Sequence, residues 1–342
     1  MTQAKRRLRV AVLMGGRSSE HEISLASARS VLAALDPERY DAVRVEIGRD
    51  GRWALPNGTR ALASGDVLPV SVGPAVPAAL GDVDVVLPVL HGPFGEDGTV
   101  QGLLELASVP YVGAGVAASA LCMDKDLMKA VLRDRGIPVT RNVTLREGDP
   151  LRNPFGYPVF VKPARLGSSV GISKVRSKEE LAGAVELARR HDDKVLVEEF
   201  VSGIEVKCGV LGNRLPQASL PGEIVAHGFG ESDWYDYSAK YDEDGMDLIV
   251  PPRVAEEIVA RVQQLSVEAF VATECEGMAR VDLFVRDDGE VLVNELNTIP
   301  GFTATSVYAR LFEASGIPYP ELLDRLVELA LERHARRSRL EY

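Results

Sequence analysis

Apolar and polar positions along the first third of the chain switch repeatedly between strand-like runs and helix-like spacing. Residues 8–14 (LRVAVLM) are a β-branched-rich apolar run that stops at Gly15-Gly16, and the spacing beyond predicts a helix over about 23–35. Residues 40–47 and 83–90 are further runs of strand length; 99–107 read as a helix and 109–112 as a short strand. Strands alternating with helices predict a mostly parallel, Rossmann-like sheet covered by helices. The Pro/Gly-rich stretch 65–81 predicts a loop.

A second unit opens near Asp124. Its helix is expected over about 125–135, stopped by Gly136 with Pro138 beyond. Residues 159–162 read as a strand and 165–171 as a Gly/Ser loop, and Ser177 with Glu180 predicts a capping box for a helix ending near Arg190. Strands are expected at 195–200 and 205–211. A third unit follows: a polar, aromatic loop (231–247), a long helix opened by Pro251-Pro252, two strands around Asp287-Asp288-Gly289 and a charged C-terminal helix. The pattern divides the chain into 1–123, 124–211 and 212–342, a mixed α/β (α+β) protein of three domains.

The segment 278–298, MARVDLFVRDDGEVLVNELNT, carries the sharpest chemical signal. Two apolar-rich runs flank an Asp-Gly pair, the mark of a two-residue hairpin turn. With Asp288 and Gly289 as the loop, Asp282 falls opposite Glu295 and Arg280 opposite Asn297. All four then share one face, while Val281, Leu283, Leu292 and Leu296 take the other. Directly opposed side chains are about 5 Å apart at Cβ, and like charges there destabilise a sheet. A divalent cation removes the conflict, and Asp, Glu and Asn offer only hard oxygen ligands, which suits Mg²⁺ completed by substrate phosphates. The competing reading is a solvated outer face of a hairpin.

Such a cation needs a phosphate cradle nearby. Residues 163–171 (PARLGSSVG) follow Lys162 and lack the G-x-x-x-x-G-K-[ST] pattern, but their small side chains let successive backbone N–H groups approach an anion. Lys162 sits on an apolar strand and needs a reason for burial; Lys125 is a second cation, or a solvated one. Gly113-Ala-Gly115-Val-Ala-Ala118 mimics a dinucleotide fingerprint without its ribose-binding acid and is read as close packing.

Composition narrows the partners. The chain has 342 residues, a formal net charge of −11 and three cysteines (Cys122, Cys208, Cys275). That excludes a disulfide scaffold and a zinc motif, and argues against nucleic acid. The apolar run 10–14 is too short for a signal peptide, and 106–123 is broken by Pro110, Gly113 and Gly115, so no membrane partner is expected and a cytoplasmic location is.

Several long motifs in order resemble the ATP-grasp superfamily and, within it, the D-alanine–D-alanine ligase family: GGRSSEHEIS (15–24), LHGPFGEDG (90–98), MDK (123–125), YDYSAKY (235–241) and NELNTIPGFT (294–303). The resemblance implies a three-domain fold with ATP between the central and C-terminal domains. It also implies formation of D-alanyl-D-alanine through an acyl phosphate, for peptidoglycan precursors. It assigns Asp282, Glu295 and Asn297 to two Mg²⁺, for which Mn²⁺ can stand in. Lys125, Lys162 and Lys240 would neutralise phosphates under a loop closing at Ser168. Glu198, with the backbone of Glu199 and Val201, would read adenine, and Glu205 ribose. Arg280 and the N–H near Gly301 would stabilise the tetrahedral intermediate. Glu20 and His91 would hold the first D-alanine, Ser306 with Lys240 the second, and Glu20, Ser168 and Tyr241 would form a hydrogen-bonded set that holds the loop. Without the resemblance, His91 also reads as a structural donor and Tyr241 as an exposed turn residue; with it, Tyr241 implies an amine acceptor rather than a hydroxy acid. A homodimer is expected by the same analogy. Two rivals are another ATP-grasp carboxylate–amine ligase with a different acceptor, and a nucleotide-binding regulator without catalysis.

Overall fold

The computed structural model describes residues 6–54, 80, 82–167, 170–226 and 246–341. Most of the loop expected at 65–81, most of the polar segment 231–247, and Ser168, Lys240 and Tyr241 lie outside the described residues.

The first sheet contains β1 (Leu8–Gly15), β2 (Tyr40–Ile47), β3 (Trp53–Ala54) and β4 (Val85–Pro88), in the order β3-β2-β1-β4. β1 runs parallel to both β2 and β4, as the alternating pattern predicts; only β3 is antiparallel. β1 is a continuous apolar run because both its faces are covered. Val10, Val12 and Met14 pack with α1 (His21–Ala34) and with residues of the C-terminal helices, while Ala11 and Leu13 face a second core with Val100 and Leu104. The strand expected at 109–112 reduces to a single bridge from Tyr111 to Val86. The helices α2 (Thr99–Leu106), α3 (Val116–Met123) and α4 (Lys125–Asp134) follow. Gly113 packs against Gly277, where a Cβ would stand 3.1 Å from the Gly113 nitrogen, so the mimic fingerprint is indeed a packing contact.

The second sheet is antiparallel: β5 (Asn142–Leu145), β8 (Val195–Glu199), β6 (Val159–Pro163) and β7 (Ser173–Val175), with α5 (Lys178–Arg189) across it. The capping box differs in detail: the Glu180 carboxylate accepts from the Arg176 N–H and the Ser177 hydroxyl, and Ser177 Oγ accepts from no helix N–H.

The third sheet follows the order β12-β11-β9-β13-β14, with β10 on β9. Its strands are β9 (Gly203–Gly212), β10 (Gln217–Ala218), β11 (Gly222–Ala226), β12 (Met246–Ile249), β13 (Gly277–Arg286) and β14 (Val291–Asn297). α6 (Glu256–Ala272) covers it together with α3 and α4. α6 begins at Glu256 rather than at Pro251-Pro252, because Pro252 is spent in a turn, its carbonyl accepting from Val254. Because β9 lies at the centre of this sheet, we propose a division by sheets that places the second domain border before Gly203 rather than at 211. The chain ends in α7 (Val307–Ala314) and α8 (Tyr319–Arg337), which return to the first sheet. No helix among the described residues is long and apolar enough to cross a membrane.

Candidate active site

Three adjacent strands set the chemistry in three rows. Across β9, β13 and β14 the paired residues are Glu205, Phe284 and Leu292; Lys207, Asp282 and Glu295; and Gly209, Arg280 and Asn297. Alternation places all nine on one face, with successive rows about 6.6 Å apart. The reverse face carries Val281, Leu283, Val293 and Leu296, packed on α6.

The expected pairs Asp282–Glu295 and Arg280–Asn297 form, but by a different route. The loop has three residues, Asp287–Gly289, since Arg286 N–H donates to Glu290 O, and Gly289 sits at φ +86°. A bulge at Asn294 then shifts the register back by one between Leu283 and Asp282. The bulge reverses parity below it, so Leu292 lies on the carboxylate face, not with Leu296 as the sequence predicts. It also leaves Asn294 Oδ1 3.4 Å from Lys162 Nζ.

Asp282 is held by Arg280 (Nε 2.6 Å and Nη2 2.9 Å) and by Lys207 (2.7 Å), with Asn297 Nδ2 at 3.4 Å. Burial alone would raise its pKa, but the Arg280 and Lys207 charges hold it below the ordinary value. Lys207 shows the converse: burial favours its neutral form, and Asp282 and Glu205 (2.8 Å) overcome this and push its pKa up. Sequence reasoning missed Lys207. The signal was available, because a lysine in the apolar strand EVKCGV demands a partner as Lys162 does.

Lys162 finds its reason for burial in Glu198, 2.7 Å away. The same carboxylate binds Lys129, which also reaches Thr140 and is fully buried. Burial pushes Lys129 down to about 8 against the pull of Glu198, and the two lysines overcome burial to hold Glu198 low. Lys129 was also missed; it stands four residues after Lys125, on the same side of α4. Lys125 bonds Leu166 O at the start of the Gly/Ser loop (2.9 Å) and lies 3.5 Å from Glu295. Glu199 points away, to Arg141 (2.6 Å) and Arg286 (3.3 Å), and with Val201 lines a cavity of about 380 Å³.

The first domain supplies a third cluster. Glu20 precedes α1 and is buried; its Oε2 lies 2.7 Å from where a Gly92 Cβ would stand and 3.7 Å from that of Gly167. Gly92 also sits at φ +73°, a left-handed conformation that favours glycine. His91 meets Ile299 O through Nδ1 (3.0 Å) and Ser27 Oγ through Nε2 (3.2 Å), and Ser27 Oγ accepts from Phe302 N–H. Burial keeps this imidazole neutral by lowering its pKa. Glu96 accepts from Gly92 N–H (2.8 Å) and Ile299 N–H (3.3 Å), and burial pushes it up to about 8, with Glu20 adding to the effect. The sequence motif contained Glu96 without marking this role. Ser306 Oγ accepts from Thr303 N–H (3.0 Å) at the head of α7, beside Gly301.

Among the described residues no three His, Cys, Asp or Glu side chains surround one point. A cation here would rest on Asp282, Glu295 and the Asn297 amide, with further oxygens from substrate. The set fits a hard divalent ion: every donor is oxygen, all lie on one face, and Asp282 Oδ1 accepts one hydrogen bond and keeps a lone pair.

The chain matches known proteins over nearly its whole length. The family profiles described as D-ala D-ala ligase N-terminus and C-terminus match residues 9–114 and 131–328. A D-alanine--D-alanine ligase of Mycolicibacterium gilvum is 48% identical, covering 96% of this chain and 98% of the relative. D-alanine--D-alanine ligase A of Escherichia coli is 44% identical, covering 96% and 97%. Among solved structures, the D-alanine-D-alanine ligase of Coxiella burnetii superposes with TM-score 0.80 at 38% identity, covering 97% and 98%. A D-Ala:D-Ser ligase of Enterococcus faecalis gives 0.83 at 37%, covering 95% and 100%. A Bacillus anthracis D-alanine--D-alanine ligase complexed with ATP gives 0.77 at 29%, covering 96% and 99%. With both halves matched and the three-row face in place, the chain belongs to the D-alanine–D-alanine ligase family.

Proposed function

We propose that the three-row face performs the ATP-dependent joining of two D-alanine molecules, one row to each part of the reaction. The chain is a carbon–nitrogen ligase of its family, and the rival readings, a different acceptor class or a regulator without catalysis, are not favoured by relatives of this identity. The row of Glu205, Phe284 and Leu292 offers an acid for ribose hydroxyls beside apolar side chains for a base. The backbone of Glu199 and Val201 continues that surface, and Glu198 serves by fixing Lys162. Lys125 and Lys162 neutralise phosphates, with Lys240.

Asp282, Glu295 and Asn297 hold Mg²⁺, as two ions, which would neutralise phosphate charge when bound. The first D-alanine lies near Glu20 and His91, its ammonium against the Glu20 carboxylate. Its carboxylate takes the γ-phosphoryl group, and the amine of the second D-alanine attacks the acyl carbon and expels phosphate. Arg280 and the Gly301 N–H stabilise the oxyanion that develops; fixed donors at that position are the largest rate contribution in such a transfer. Ser306 with Lys240 receives the second carboxylate. Glu20, Ser168 and Tyr241 together hold the loop after Gly167, and the approach of Glu20 to Gly167 supports that set. Three buried free thiols fit a reducing cytoplasm.

The observation that carries this reading is the pairing of Lys207, Asp282 and Glu295 in one row, next to Arg280. Purified protein supplied with ATP, Mg²⁺ and D-alanine is expected to release one phosphate per dipeptide. The likeness to a D-Ala:D-Ser ligase makes D-serine the informative competitor. Preference for D-serine, or for D-lactate near neutral pH, over D-alanine would overturn the acceptor assignment.

A further inference from the structure

Two thiols meet at a junction remote from the rows. Cys122 lies in the last turn of α3 and Cys275 just beyond the C-terminal end of α6. They are 153 positions apart in sequence, yet their sulfurs are 3.7 Å apart. A disulfide needs about 2.05 Å, so bridging requires the sulfurs to close by roughly 1.7 Å. Both are buried in the core of the third sheet. Cys275 borders a cavity of about 380 Å³, whose wall includes Arg214, Glu274 and Arg336. Val271 and Glu274 beside it are exposed, so the cavity lies at the surface.

We propose that Cys275 and Cys122 form a peroxide-reactive dithiol that closes to a reversible disulfide, with Cys275 as the attacked-from side and Cys122 as the resolving thiol. Cys275 Sγ attacks one oxygen of hydrogen peroxide; the O–O bond breaks, and hydroxide leaves and combines with the proton Cys275 gave up. Cys122 Sγ then attacks the sulfur of the resulting sulfenic acid, the S–O bond breaks, and water departs with the Cys122 proton. Two thiols lose two electrons and one peroxide becomes two waters. The neighbours support this order. Cys275 lies on the cavity wall, so peroxide meets it before Cys122, and Thr273 Oγ1 stands 3.3 Å from its sulfur. The bond would staple the helix that leads to Lys125 onto the strand that carries Arg280 and Asp282. Cys208 is an internal control, because its sulfur meets Gly209 O, Ser219 and Ser266 rather than a second thiol, and burial pushes its pKa up to about 11.

The test is native treatment of the full chain with hydrogen peroxide, followed by thiol counting and non-reducing peptide mapping. Expected are the loss of two thiols, a mass decrease of about 2 Da, one linked peptide pair holding residues 122 and 275, a raised Tm, and reversal by dithiothreitol. Cys122→Ser should stop at a trappable sulfenic acid on Cys275, and both Cys275→Ser and Cys275→Ala should leave Cys122 reduced. Three thiols still countable after treatment, a linked pair formed only in denaturant, or oxidation of Cys208 at an equal rate would overturn the proposal.

Discussion

Asp282 stands directly across β13 and β14 from Glu295, and Lys207 comes to the first carboxylate (2.7 Å) as Lys125 comes to the second (3.5 Å). Two acids in opposed register are tolerable because each has a cation beside it.

Glu295→Gln keeps the shape of the side chain and removes a charged oxygen ligand. Turnover is expected to fall by ~10²-fold or more, with a higher Mg²⁺ requirement and a Tm within a few degrees of the parent. Steady-state rates across a Mg²⁺ series, with thermal melting, check this; equal loss of stability and activity would make Glu295 structural.

Lys207→Met should act on stability as well. It leaves Asp282 with Arg280 and Asn297 and leaves Glu205 without its cation, and breaking a buried pair costs about 3 kcal/mol. Denaturant melts should show a clear drop in midpoint, and apparent ATP affinity should weaken because Glu205 is no longer positioned.

Lys162→Ala removes a cation that Glu198 fixes and that would meet phosphate. A lost hydrogen bond to a charged group is worth about 1.5–3 kcal/mol, or roughly 10–100-fold in apparent ATP affinity. An unchanged KM for ATP would remove Lys162 from the site.

Glu96 gives a pH signature. Its folded pKa is raised to about 8, above the ordinary 4.5. A raised acid contributes stability that is full below about 4.5 and is lost as pH climbs through about 8. Glu96→Gln cannot ionise but keeps only one of the two oxygens that accept from Gly92 and Ile299, so it should be less stable than the parent near pH 4.5 and close that gap as pH rises from 5 to 8. Melting curves across that range that stay parallel would show that Glu96 is ionised in both states.

Much of this was legible in the sequence because alternation is a strong constraint. The face shared by Arg280, Asp282, Glu295 and Asn297 was readable from parity and one turn, and the first parallel sheet from its continuous apolar run. The turn itself was misread: Asp-Gly suggests two loop residues, the chain uses three, and the bulge at Asn294 cancels the error only beyond Leu283. No local pattern announces a bulge, so the place of Leu292 was not readable. Lys129 and Lys207 escaped because their partners, Glu198 and Asp282, are 69 and 75 residues away. Glu96 was hidden inside its motif, since its weight comes from burial and from Ile299 across the domain junction.

The most direct test of the ligation account follows the oxygen. D-alanine labelled with ¹⁸O in its carboxylate, ATP, Mg²⁺ and the purified protein are incubated, and the inorganic phosphate and dipeptide are analysed by mass spectrometry. The account predicts one ¹⁸O in each phosphate released, matched one to one by D-alanyl-D-alanine, because the carboxylate oxygen leaves with the phosphoryl group. Phosphate free of ¹⁸O, or released without dipeptide, would contradict it.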